Sequence, residues 1–236
     1  MVAAVAAGAV LGSALFALGA RVDAGPLGAQ RLSSPSIVTP RPTGPPLADS
    51  ALRDRVEGAQ LEAEVTACGM RRQGTVTVLD RGDGPEGLTN AHVVEGADTV
   101  SMTGPGGTGR GAVTGAVPGR DAAVVDLGDA HPGEALQPGP RPEPGDRVLV
   151  AGFPAGQYRA EMGTVRRIEE RSSRGGTTPV LLVDVRAIPG ASGGVVADRW
   201  GHAVGLVAAR DPGTGWAVAY PISEILGNPA RGSVNC

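Results

Sequence analysis

Lysine is absent from this chain: all 21 basic residues are arginine, set against 24 acidic ones. Schiff-base catalysis and Walker-type phosphate loops, both of which need a lysine, are therefore excluded. Aromatic residues are scarce at 3%, with two each of Trp, Tyr and Phe. So few rings leave little for base stacking, and a net charge of −3 offers no basic surface to a phosphate backbone, so no nucleic acid is expected as partner. Cysteine occurs only at Cys68 and Cys236, a spacing that no CxxC metal site allows, and neither metal nor cofactor is expected.

Glycine (38) and proline (20) are abundant among the 236 residues, yet the hydrophobic fraction is 41%. That is too apolar for a disordered chain, and glycine follows no three-residue period, which excludes collagen. The length suits one core with appendages. Residues 1–20 (MVAAVAAGAVLGSALFALGA) carry no charge and as a helix would span about 30 Å, enough for a bilayer core or an export signal. Residues 21–60, with Pro26, Pro35, Pro40, Pro42, Pro45 and Pro46, read as an extended linker holding a short helical piece near 51–60.

From residue 61 short apolar runs alternate with Gly/Pro punctuation. In LEAEVTA (61–67), Leu61, Ala63 and Val65 face one way while Glu62, Glu64 and Thr66 face the other. Further strands are expected at 75–79, 99–102, 112–117, 122–127, 147–152, 163–168, 179–185, 194–197, 203–209 and 216–220, a pattern of sandwich or barrel. Helix signals appear only at 91–95 and 222–226. The string PGPRPEPGD (138–146) divides the β region into halves. In an exported protein, an even cysteine count implies a disulfide, here Cys68 to Cys236, closing a long loop worth roughly 5 kcal/mol.

Chemistry centres on Gly190-Ala191-Ser192-Gly193-Gly194, where flanking glycines leave the Ser192 hydroxyl unobstructed. An α/β-hydrolase elbow would need its histidine last in chain order. Only His202 follows Ser192, and it falls in a hairpin turn with Trp200 and Gly201. His131 lies in a loop string, DAHPGE, whereas His92 lies in LTNAHVVEG among apolar residues that would hold its ring. Between base and nucleophile, Asp121 opens the apolar run DAAVVDL, and Asp126 within that run is its rival.

Together TNAHVV at His92, RDAAVV at Asp121 and PGASGG at Ser192 resemble the signature segments of trypsin-like serine proteases, of the bacterial HtrA-like branch. GFPAG (152–156), GHAVGLV (201–207) and WAVAYPI (216–222) fit the same resemblance, which covers residues 61–236. Membrane-anchored actinobacterial proteases of acid and oxidative stress resistance are similar in their apolar N-terminus and two distant cysteines. The resemblance implies an all-β fold of two six-stranded antiparallel barrels, about 61–137 and 146–236. It implies a His92–Asp121–Ser192 triad forming an acyl-enzyme on protein or peptide substrates, and an oxyanion site from the backbone N–H groups of Gly190 and Ser192. By position Arg186, Ala187 and Ile188 would border the pocket, and the strand Gly205–Ala209, with Gly205, Leu206, Val207 and Ala208, would pair with substrate backbone.

The sequence also departs from the family pattern. Ala191 stands where Asn or Asp is usual, Val195 replaces a proline, and no second glycine follows Gly74-Thr75. A catalytically weak peptide-binding module is the alternative. Too few residues follow Ser192 for a PDZ domain, and a monomeric protease domain is expected, outside the cytoplasm on a membrane anchor or secreted after cleavage. Arg21, Arg31 and Arg41 follow the apolar segment with no basic residue before it, which by the positive-inside rule points the other way. A cleaved signal, or further membrane helices upstream of Met1, resolves that conflict. Non-reducing mass spectrometry of exported chain should find no free thiol on Cys68 or Cys236; two free thiols would refute the bridge.

Overall fold

A computed structural model describes residues 40–173 and 176–227. The apolar segment 1–20, residues 21–39 of the proline-rich stretch and Cys236 lie outside the described residues. Among the described residues, no helix is long and apolar enough to cross a membrane.

The first barrel is built from β1 (Gln60–Ala67), β2 (Met70–Asp80), β3 (Pro85–Thr89), β4 (Thr99–Gly104), β5 (Gly107–Ala116) and β6 (Ala123–Asp126). It closes in the order β1-β2-β3-β6-β5-β4. In β1 the alternation read from the sequence is realised: Leu61, Ala63 and Val65 are buried, Glu62 and Glu64 less so. The β1–β2 hairpin turns through Cys68 and Gly69, both at positive φ (53° and 71°), which is the twist that a two-residue hairpin favours. The second barrel comprises β7 (Arg147–Gly152), β8 (Arg159–Ser173), β9 (Gly176–Arg186), β10 (Val195–Ala197), β11 (Ala203–Arg210) and β12 (Trp216–Pro221). Its order, β10-β11-β12-β9-β8-β7, repeats the scheme of the first barrel. The expected pair of six-stranded antiparallel barrels is thus observed.

Two elements, β3 and residues 91–95, differ from expectation. β3 has no alternation and contains both proline and glycine, so its sequence carries no strand signal. It is held by pairing, Leu88 lying opposite Thr77 on one side and Val124 on the other. Residues 91–95 do not form a helix; they make successive tight turns, with Val93 N–H donating to Asn90 O and Val94 N–H to Ala91 O, each 3.2 Å. The short helical piece expected near 51–60 is present as α1 (Asp49–Gly58), with Asp49 in its first turn and Arg55 in its last, as the helix dipole favours. Leu52 and Val56 of α1 are buried in a cluster shared by both barrels, with Leu79 and Leu136 from the first and Leu149, Val195 and Leu206 from the second. Residues 222–226 form the expected short helix, α2 (Ile222–Leu226), whose Ile222 and Ile225 join the same cluster.

Leu52 is 1% exposed, so α1 is part of the core that joins the barrels. Leu52→Ala should lower the unfolding free energy by about 2–5 kcal/mol in a urea titration. A loss below about 1 kcal/mol would mean that α1 is dispensable to the fold.

Candidate active site

The turns after β3 present His92. Their apolar neighbours Val93 and Val94 are almost fully buried (1% and 0% exposed), which pins the backbone while leaving the ring half exposed. Asp121 arrives from the loop just before β6. Its Oδ2 lies 2.6 Å from His92 Nδ1, and its Oδ1 accepts the His92 backbone N–H at 3.0 Å. The two carboxylate oxygens thus grip both ring and main chain, which fixes ring orientation and places the Nδ1 proton toward Asp121.

Asp121 is itself held. Asn90 Nδ2 donates to its carbonyl at 2.6 Å, and the Tyr220 phenol, from β12 of the second barrel, lies close enough to feel the Asp121 charge. Burial, and after it the Asp121 charge, raise the Tyr220 pKa above its ordinary value. The rival Asp126 instead accepts the Gly128 N–H at 2.8 Å, ending β6 in a turn. His131 lies in a loop whose carbonyl accepts the Gly106 N–H. His202, in the β10–β11 turn, pairs with Asp198 at 3.1 Å.

Ser192 sits on the loop between β9 and β10, and this loop is threaded against β2. A Cβ on Gly74 would stand 2.8 Å from Val93 Cγ1 and 3.1 Å from the Ser192 carbonyl oxygen. One glycine backbone therefore separates the histidine turn from the serine loop. Thr75 N–H donates to Ser192 O at 2.8 Å, Thr75 Oγ1 to Gly190 O at 3.2 Å and Thr77 Oγ1 to Gly193 O at 2.8 Å. Gly193 has φ +84°, and a Cβ there would lie 1.9 Å from Thr75 O, so only glycine fits. Gly190 also adopts a positive φ, +94°. Ala191, in place of the usual acid or amide, donates its N–H to Ile188 O. His92 and Asp121 are joined directly; among the described residues no hydrogen bond links Ser192 Oγ to His92.

A largely apolar cleft of about 230 Å³ opens beside Ser192, lined by Ala187, Ile188, Pro189, Ala191, Val207, Ala209 and Arg210. Ala187 and Ile188 line it, whereas Arg186 lines an adjoining depression, with Arg159 and Glu161, that shares Ile188 and Ala191 with the cleft. Of the expected strand residues, Gly205 and Leu206 are paired on both sides, to β10 and β12, which leaves them no edge for another strand. Val207 bonds Gly193 and Gly194 through its own backbone. The part of β11 beyond that pairing, at Ala208 and the cleft-lining Ala209 and Arg210, is the segment that faces the open side. Arg210 went unread because nothing in AAR marks a strand as ending its inner pairing there. Among the described residues, no group of three or more His, Cys, Asp and Glu side chains could hold a metal ion.

The loop after Arg210 is stiffened by Asp211. The Thr214 hydroxyl and amide, and then Arg171, hold its carboxyl down at about 2. A carboxyl so lowered stabilises the fold above its ordinary pKa of 3.8 and loses that contribution as pH falls toward 2. Asp211→Asn should therefore lower the melting temperature near neutral pH, and the gap to wild type should close as pH falls from about 4 to about 2. A gap independent of pH would contradict this role.

Residues 74–206 match the trypsin-like peptidase domain. The putative serine protease HhoB of Synechocystis sp. is 32% identical over 160 residues, which is 64% of this chain and 38% of that protein. HhoA of the same organism is 31% identical over 147 residues, 58% of this chain and 37% of that protein. The chain thus spans less than two-fifths of these curated relatives. Among solved structures, the active form of the Rv3671c protease from M. tuberculosis superposes with a TM-score of 0.68 at 22% identity, covering 84% of this chain and 96% of that one. The HtrA-type protease AlgW with a tripeptide gives 0.66 at 23%, covering 76% and 62%.

Proposed function

The chain belongs to the trypsin-like peptidase family, and from that premise we propose that it is a serine endopeptidase acting through Ser192, His92 and Asp121. The observation that carries this reading is the double grip of the Asp121 carboxylate on the His92 ring and backbone (2.6 and 3.0 Å), beside a serine loop that is one glycine away. With Nδ1 committed to Asp121, the other ring nitrogen is free to take the Ser192 proton as the hydroxyl attacks the scissile carbonyl. The imidazolium, stabilised by Asp121, then protonates the leaving amine. The backbone N–H groups of Gly190 and Ser192 receive the developing oxyanion, each such donor being worth about 3 kcal/mol of barrier. Substrate backbone adds as a strand at Ala208, Ala209 and Arg210, and the apolar cleft takes the side chain before the cleaved bond.

The protease domain acts outside the cytoplasm, on a membrane anchor or export signal formed by residues 1–20 and with a Cys68–Cys236 bridge. These parts of the proposal follow from the uncharged N-terminal run and the even cysteine count.

A second reading, a peptide-binding module without turnover, is favoured by the lack of a hydrogen bond between Ser192 and His92. Such bonds often tighten only once substrate is bound, so chemistry must decide. The full chain should take a fluorophosphonate adduct on Ser192 that Ser192→Ala abolishes, and Asp121→Asn should lower peptide turnover about 10⁴-fold. No adduct on wild-type Ser192 would leave the binding module as the function.

A further inference from the structure

Thr75 is fully buried on β2, and all of its hydrogen-bonding groups are engaged. Its N–H donates to Ser192 O (2.8 Å) and its carbonyl accepts the Thr89 hydroxyl (2.7 Å). Its own hydroxyl accepts the Phe153 N–H (2.9 Å) and donates to Gly190 O (3.2 Å). One hydroxyl of the first barrel therefore joins two separate loops of the second.

Those two loops meet at the peptide that matters for the oxyanion. After Phe153 the chain turns through Pro154, Ala155 and Gly156, and the Ala155 N–H donates to Pro189 O at 3.3 Å. In a planar trans peptide the carbonyl and N–H point in opposite directions. Holding the Pro189 carbonyl toward Ala155 therefore turns the Gly190 N–H the other way. Ala155 adopts φ +54°, a conformation that alanine keeps only where its surroundings impose it. Gly190 has no room to shift toward this turn, because a Cβ there would lie 2.9 Å from both Ala155 N and Phe153 O.

We propose that Thr75 is a positioning residue: its hydroxyl latches the Phe153 turn and the Gly190 carbonyl together, and so fixes the orientation of the Gly190 N–H. The first barrel in this way sets the oxyanion site of the second, besides supplying the base. This rests on the assignment of Ser192 as nucleophile and of Gly190 N–H as oxyanion donor.

The test compares full-length wild type, Thr75→Val, Thr75→Ser and Thr75→Ala for fluorophosphonate labelling rate and for kcat and KM on a peptide substrate. Loss of one oxyanion donor typically costs 10²- to 10³-fold in kcat. Thr75→Val should lose at least about 10-fold in kcat and labelling rate with KM changed less than about 2-fold, and Thr75→Ser should restore most of it. Should Thr75→Val fail to fold, the Ser and Ala variants differ by the hydroxyl alone and should differ by the same factor. Equal rates in that pair, or a Thr75→Val protein as fast as wild type, would overturn the latch while leaving Ser192 as nucleophile. A wild type that takes no label would overturn the nucleophile assignment, and the latch with it.

Discussion

The seam between the barrels is made by hydroxyls and main chain. Thr75 and Thr77 of β2 reach across it to the carbonyls of Ser192, Gly190 and Gly193 (2.8–3.2 Å), and the rest of the site depends on those contacts. His92 and Asp121 come from the first barrel and Ser192 from the second, so under the proposed assignment neither half can assemble the chemistry alone. A buried hydroxyl left without a partner costs free energy, and that cost disfavours any docking in which these bonds are not formed. Gly193 adds a steric demand, since any side chain would collide with Thr75 O. Register across the seam is therefore set by directed bonds and by a missing side chain at the same point.

Around this polar seam lies the apolar cluster that both barrels and α1 share. It supplies cohesion without direction, because burial of aliphatic groups scales with area and tolerates small slides. The threonine contacts supply the direction. Tyr220, from β12 of the second barrel, lies close enough to Asp121 to feel its charge.

Much of this was legible in the sequence. His92, Asp121 and Ser192 each sit in a string whose neighbours announce a held ring, a loop carboxylate and an unobstructed hydroxyl. Period-two alternation located β1, and short apolar runs located most other strands. What escaped was whatever tertiary pairing alone decides. PEGLT becomes β3 only because β2 and β6 flank it, and residues 91–95 close into successive tight turns instead of a helix. The open stretch of β11 starts two to three residues later than expected, because Val207 is already bonded to Gly193 and Gly194. GTVTV reads as an ordinary strand, and nothing in its composition tells that Thr75 and Thr77 face another barrel instead of solvent.

In the proposed mechanism, cross-barrel bonds hold the serine loop in a geometry ready for an oxyanion. A crystal structure of the chain with a phosphonyl group on Ser192 should show a phosphoryl oxygen accepting hydrogen bonds from the N–H groups of both Gly190 and Ser192, with the Thr75 hydroxyl still on Gly190 O. An adduct on Ser192 whose phosphoryl oxygen is turned away from both amides would contradict it.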